Sequence, residues 1–214
     1  MSDRRSAARA TASPSIAGRR PGRVSSRIRR RRLASLLAAL LLGGLVAGAV
    51  ALFNPLEAIK ELTLPLRHED IIRQQAREKG LDPALIAAVI YGESKFRDQT
   101  SSAGAVGLMQ ILPRTAHFVA RKSGGTEFVD ADLSNPQINI SYGCWYLRYL
   151  LDRYGGNEIA AVAAYNAGHT MVDRWGGRSL ELADIRFPET RQYTQEVLDK
   201  RGDYAKRYKD QLGL

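Results

Sequence analysis

The sequence predicts an all-α fold, a helical domain preceded by a single transmembrane helix, and three observations predict it. No stretch alternates apolar and polar residues with the period of two that a half-buried strand requires. From residue 68 onward the chain is punctuated by helix signals, with Asp-Pro or Asn-Pro at starts and Gly at ends. Before that, residues 33–53, LASLLAALLLGGLVAGAVALF, run without one charged side chain.

Charge separates the N-terminal part from the rest. The 214 residues carry a net charge of +10. Residues 1–32 contain 11 Arg, no Lys and a single acid, Asp3, so this segment alone holds the whole excess. Beyond it, 21 basic and 21 acidic side chains cancel. A domain that grips nucleic acid carries its positive charge on the folded surface, so that class is disfavoured and no nucleic-acid partner is expected. The lone Cys144 excludes a disulfide framework and the common Cys-rich zinc modules.

Taken in order, residues 1–32 read as a disordered cytoplasmic tail, aided by attraction to anionic head groups. As a helix rising about 1.5 Å per residue, residues 33–53 span roughly 31 Å, the thickness of a bilayer core. Arg27 and Arg29 to Arg32 stand directly before this run and resist translocation, which leaves the later chain outside the cytoplasm. Cleavage at Ala47-Gly48-Ala49, as in a signal peptide, is the competing reading. The charged region is about twice the usual length for that, and the apolar run continues past the site. An uncleaved anchor is therefore expected, with the domain secreted if cleavage occurs.

Residues 54–66, with Pro55 and Pro65, form a linker too short to fold alone. A helix over Asp70–Lys79 stops at Gly80. Asp82-Pro83 starts the next, with a side-chain acceptor at the cap and Pro in the first turn. That helix, Ala84 to about Ser94, is apolar until Glu93 and must be buried. A polar loop at Asp98–Ser102 leads to Gly104–Gln110, and Pro113 starts a helix that breaks at Gly124-Gly125. Asn135-Pro136 opens the longest helix, to Tyr154, whose stripe of Tyr142, Trp145, Tyr146 and Tyr149 reads as core. Asn157 caps an Ala-rich helix that ends at Gly168, and Pro188 starts the last one. Residues 202–214 read as a charged tail.

Chemistry is best sought where a polar residue interrupts a buried helix, and Glu93 is the clearest case. It follows Val89 by four positions and Ile90 by three, so it shares their apolar face. A carboxyl there is partly desolvated, its pKa rises, and the protonated form persists near neutral pH. That is the state a general acid needs to protonate a glycosidic oxygen. Read from spacing alone, Glu93 could equally reach solvent or cap a loop amide. Met109 by itself reads as core, Tyr165 as a packed aromatic, and Cys144 as a small buried hydrophobe.

Taken together, the motifs say more. Glu93-Ser94, Ser101-Ser102-Ala103-Gly104-Ala105-Val106-Gly107-Leu108-Met109-Gln110 and Ala164-Tyr165-Asn166-Ala167-Gly168 occur in that order. With Asn135-Pro136, Asn139-Ile140, Gly143, Glu189-Thr190-Arg191 and Tyr193, they resemble the catalytic domain of the soluble-type (family 1) lytic murein transglycosylases. The resemblance covers about residues 68–200 and places a catalytic domain at residues 67–201.

The resemblance implies a lysozyme-like (goose-type/transglycosylase) helical fold. It implies cleavage of the β-1,4 bond between N-acetylmuramic acid and N-acetylglucosamine in peptidoglycan strands. Its single acid/base falls on Glu93. A sugar-contacting Ser falls on Ser101, or on Ser102, which stands where the family often has Pro. Met109 and Gln110 would line the cleft, Tyr165 and Asn166 would lie beside the acid, and Tyr193 would close the site. No cofactor or metal is implied; His68, His117 and His169 are far apart in sequence. Three activities compete: the transglycosylase, a hydrolytic muramidase using water positioned by Asp98 or a more distant acid, and a non-catalytic glycan-binding scaffold.

Overall fold

The computed structural model of the chain describes residues 39–45, 63–124 and 128–214. The chain divides into two units, Met1–Asn54 and Pro55–Leu214. In the first unit, residues 39–45 are helical, and Leu40, Leu41, Leu42 and Leu45 are between 67% and 73% exposed. Most of the expected span at residues 33–53, and the whole Arg-rich tail, lie outside the described residues. No helix among the described residues is long and apolar enough to cross a membrane.

Among its described residues the regular elements of the second unit are all helices. Its elements are α1 (Glu69–Lys79), α2 (Pro83–Ser94), α3 (Pro113–Ser123), α4 (Pro136–Arg153), α5 (Glu158–Ala167), α6 (His169–Trp175), α7 (Pro188–Arg207) and α8 (Lys209–Leu212). Short 3-10 turns lie at Asp130–Ser134, Gly177–Ser179 and Leu182–Asp184. The helices start where their caps require. Asp82 Oδ1 accepts from Ala84 N at 2.8 Å, Asn135 Oδ1 from Gln137 N at 2.9 Å, and Asn157 Oδ1 from Ala160 N at 3.0 Å.

Helices α2 and α5 form the centre. Every residue from Ala84 to Ile90 and from Ala160 to Ala164 is at most 1% exposed, the outcome of sequences apolar on all sides. Helix α2 packs between α1 and α7, while α5 packs against α4, α6 and α7. Small residues allow the closest approach. A Cβ added at Gly92 would stand 3.0 Å from Val197 Cγ2 and 3.1 Å from the Tyr193 ring, so Gly92 lets α7 lie directly on α2.

Two expectations need correction. Residues 202–214 are not a trailing tail: Tyr204 and Leu212 are buried, and the segment completes α7 and forms α8. Nor is the end of the linker free of the domain. Leu64 is buried, Tyr204 donates its hydroxyl to Pro65 O at 2.6 Å, and Tyr208 donates to Leu64 O at 2.6 Å. These aromatics lie beyond the motif-bearing region, and only the fold brings the 63–66 segment under them. It is retained because its buried carbonyls are paired.

The aromatic stripe of α4 is half-buried, not core alone. Trp145 lies parallel to Tyr149 with ring centres 5.8 Å apart, and Tyr149 to Tyr146 at 6.2 Å, with Phe118 of α3 set edge-on against all three. Cys144, on the same helix, is fully buried, and burial pushes its thiol up to about 12.

Candidate active site

Helix α2 ends abruptly at Ser94, one residue past Glu93. Ser94 Oγ turns back to donate to Ile90 O at 3.2 Å, and both Lys95 (φ 52°) and Phe96 (φ 59°) are left-handed. Two consecutive non-glycine residues in this region cost on the order of 1 kcal/mol or more each. Burial of Phe96 against Tyr204, with ring centres 6.1 Å apart, offsets that cost.

Glu93 is half-buried on the last turn of α2. Tyr193 of α7, brought close by Gly92, donates its hydroxyl to Glu93 Oε1 at 2.6 Å. Burial pushes the Glu93 carboxyl up to about 7, and the Tyr193 hydrogen bond opposes that rise only in part. Among the described residues no second carboxylate contributes. Burial and the facing Glu93 charge raise the Tyr193 phenol well above its ordinary range, so it remains a donor. Tyr193→Phe is therefore expected to move the Glu93 titration further upward, by on the order of one unit, because a bond to the charged form is lost. Carboxyl-resolved NMR titration checks this; an unmoved or lowered titration would refute the assignment of the bond.

The loop from Gln99 to Ile111 forms the next wall. It is tied by two isolated antiparallel bridges, Thr100 with Val106 and Val106 with Ile111. Ser101 is part of its frame: Oγ accepts from Ala105 N at 3.0 Å and its N–H donates to Ala105 O at 2.8 Å. Ser101 makes no hydrogen bond to Glu93, Tyr165 or Tyr193, and Ser102 is exposed at the tip. Gln110, left-handed at φ 49°, donates through Nε2 to Gln99 O at 2.9 Å and Gly107 O at 2.8 Å. Only its Oε1 is left to meet a ligand.

Met109 corrects an expectation. Its side chain has no exposed surface and fills the space above Gly143, where a Cβ would lie 2.3 Å from its Sδ. It is core and not cleft lining, because Gly143 leaves a hole on α4 that a flexible thioether fills. What Met109 offers the site is its carbonyl, which accepts the Tyr165 hydroxyl at 3.0 Å. Tyr165 in turn packs on Tyr146 at 5.6 Å, and its phenol is raised by burial and then by the nearby Glu93 charge. Asn166 is exposed, and its Oδ1 accepts from buried Thr190 at 2.8 Å, which leaves its Nδ2 to donate outward.

Glu93, Tyr165 and Tyr193 are thus brought together. Gln110 and Met109 join through the loop and Asn166 through Thr190, while Ser101 braces the loop. Asn139 was noted only as part of a motif. It is buried in α4 and ties the loop to that helix through three hydrogen bonds, from Met109 N at 2.8 Å and to Val106 O at 2.8 Å and Leu133 O at 3.0 Å. A buried Asn on an otherwise apolar helix face was the available signal. Asp98 is exposed. Among the described residues no three His, Cys, Asp or Glu side chains are grouped to hold a metal ion.

Comparison with known proteins gives the same domain. The Transglycosylase SLT domain matches residues 70–187. The chain is 37% identical over 147 residues to a soluble lytic murein transglycosylase of Salmonella typhimurium, covering 64% of this chain and 23% of the relative. A membrane-bound lytic murein transglycosylase C of Actinobacillus pleuropneumoniae is 37% identical over 112 residues, 48% of this chain and 31% of that protein. Among solved structures, an inactive mutant of the lytic transglycosylase Slt of Pseudomonas aeruginosa superposes with a TM-score of 0.66 at 33% identity, covering 70% of this chain and 26% of that one. The 70 kDa soluble lytic transglycosylase of Escherichia coli gives 0.65 at 31% identity, covering 71% and 26%. The chain therefore spans about a quarter of the length of the soluble relatives, and its fold is the all-helical, lysozyme-like fold of these enzymes.

Proposed function

The chain belongs to the transglycosylase SLT domain family, and we propose that its folded unit is a peptidoglycan lytic transglycosylase. It cleaves the β-1,4 bond between N-acetylmuramic acid and N-acetylglucosamine without water, leaving 1,6-anhydromuramoyl ends. The observation that carries this reading is the state of Glu93: a half-buried carboxyl at about 7, held by one phenol, with no second carboxylate among the described residues acting on it.

Glycosidases ordinarily use two carboxyl groups, one as acid and one as base or nucleophile. With one, the substrate must supply the second function. Glu93 gives its proton to the glycosidic oxygen as the C1–O bond breaks, and the muramic N-acetyl carbonyl stabilises the positive charge at C1. The Glu93 carboxylate then takes the proton from the C6 hydroxyl of the same sugar, whose oxygen bonds to C1. The proton count balances and no water enters. Tyr193 steadies the carboxylate between the steps. Tyr165, Asn166, the Gln110 carbonyl oxygen and the Ser101–Ser102 tip orient the sugar and its acetamido group, where hydrogen bonds gain strength as water is excluded.

Mass analysis of digested peptidoglycan tests this. Anhydro ends, each lighter than a reducing end by one water, are expected to dominate; a dominance of reducing ends would overturn the mechanism in favour of hydrolysis.

The same reading places the domain outside the cytoplasm. The uncharged run at residues 33–53 spans the membrane, with residues 1–32 inside. The bare leucines of residues 39–45 and the membrane-bound relatives support an anchor. The catalytic unit then runs from about residue 63 to residue 214, wider at both ends than the motif-bearing region.

A further inference from the structure

We infer that a depression behind Tyr149, of about 550 Å³, is an accessory subsite that takes a carboxylate of the peptide stem on the bound glycan strand, with Arg178 as its contact. The inference rests on the lytic reading above and adds a recognition element to it. Tyr149, Arg153, Tyr154, Asp173 and Arg178 line the depression, and Glu93 does not.

Two observations carry the assignment. The first is continuity with the reacting centre. Tyr149 stands parallel to Tyr146 at 6.2 Å, and Tyr146 meets Tyr165, whose phenol feels the Glu93 charge, at 5.6 Å. A row of half-buried rings therefore leads from the acid to the depression, and such rings offer flat apolar faces to sugars. A strand lying on this row carries its muramic substituents toward Arg178.

The second is charge. Both acids in the depression are already matched. Asp173 Oδ2 pairs with Arg153 Nη2 at 2.6 Å, and its Oδ1 accepts from Tyr154 at 3.0 Å. Asp152 Oδ1 pairs with Arg148 Nη2 at 2.7 Å. Among the described residues Arg178 has no acidic partner. Its Nε donates to Arg153 O at 3.1 Å, which fixes the guanidinium plane and leaves the Nη donors free. Its backbone is fixed too, since Asn157 Nδ2 donates to Arg178 O and Leu180 O, each at 3.0 Å. An oriented, uncompensated guanidinium fork matches a carboxylate. Peptide stems supply carboxylates along the strand, whereas the lactyl carboxyl of a stem-bearing muramic residue is consumed in its amide.

Steady-state kinetics on soluble glycan strands test the subsite, using strands with free stem carboxylates and the same strands with those groups amidated. Arg178→Gln is expected to raise KM about two- to fivefold on the free-carboxylate strands with kcat unchanged, the mark of lost uniform binding at an exposed site. On amidated strands the variant and the native protein should match. Arg178→Lys keeps the charge without the fork and is expected to fall between. An equal loss on both strands, or none on either, overturns the subsite. Turnover of amidated strands to anhydro ends leaves the lytic reading standing in that case; no turnover of either strand by the native protein overturns both.

Discussion

Glu93→Gln is expected to lower the wall-lytic kcat by on the order of 1000-fold while the domain stays folded. General acid–base catalysis by one positioned group typically contributes about 100- to 10,000-fold, and here one residue serves both steps. Gln keeps the shape of Glu and an oxygen to accept the Tyr193 hydroxyl, so the geometry at α2 and α7 survives. What it lacks is a proton to give. In the native protein the saturated rate should fall as pH rises through about 7, because the acid form of Glu93 is then lost. Retained activity in the Gln variant would refute the role of Glu93 outright.

The same substitution carries an opposite sign in stability. The carboxyl titrates near its ordinary 4.5 when unfolded and near 7 when folded, so between those values the folded state binds more protons. Native stability therefore falls as pH rises across that window, and the full penalty of the buried charge applies above 7. Gln carries no charge to desolvate. The variant is expected to be the more stable protein at pH 8, by on the order of 1–3 kcal/mol, with the gap closing below pH 4.5. Denaturant midpoints at the two pH values measure it. A catalytic group that weakens the fold it works in is the expected trade between activity and stability.

Local grammar was legible in the sequence and long-range placement was not. Asp82, Asn135 and Asn157 cap their helices through their own side chains, an interaction over two or three residues that the sequence carries in full. The apolar run Ala84–Ile90 could only be a central helix. Glu93 was legible as a desolvated acid because its apolar neighbours are one turn away. The phenol that holds it is legible only through the resemblance that placed Tyr193 at the site, since Tyr193 reaches Glu93 through the approach of α7 over Gly92. Met109 taken by itself reads as core, which is where it lies; the cleft position that the resemblance implied does not hold, because the hole it fills is made by Gly143, 34 positions on. Gln110 spends its amide on loop carbonyls because its left-handed backbone points it inward. The burial of Tyr204 and Leu212 was hidden by the charged residues around them, which mark a helix with one wet face as readily as a tail.

Asn139→Leu is expected to be the most destabilising single change at this site, at about 3–5 kcal/mol. Asn139 accepts from Met109 N and donates to Val106 O and Leu133 O, all within 3.0 Å and away from water. Leucine has similar volume and no polar atom, so the Met109 N–H and the Leu133 carbonyl lose their partner together, while Val106 O keeps the Ile111 N–H at 3.0 Å. A buried group left unsatisfied costs about 1–3 kcal/mol, and relaxation of the loop recovers part of the sum. For a domain of this size the thermal midpoint should drop by on the order of 10 °C, read by circular dichroism. Activity measured far below that midpoint should fall as well, since the carbonyl that holds Tyr165 belongs to Met109 and Met109 is moored by Asn139. The clamp also explains Gly107, whose φ is +78° and whose added Cβ would lie 2.3 Å from Asn139 Nδ2. Gly107→Ala should therefore cost less when Asn139 is already Ala than in the native protein, because the clash with Asn139 is gone while the close approach to Leu133 O at 2.9 Å and the backbone strain remain. Additive losses in that double-mutant cycle would refute the direct clamp, and a loss under 1 kcal/mol for Asn139→Leu would show that the loop holds without it.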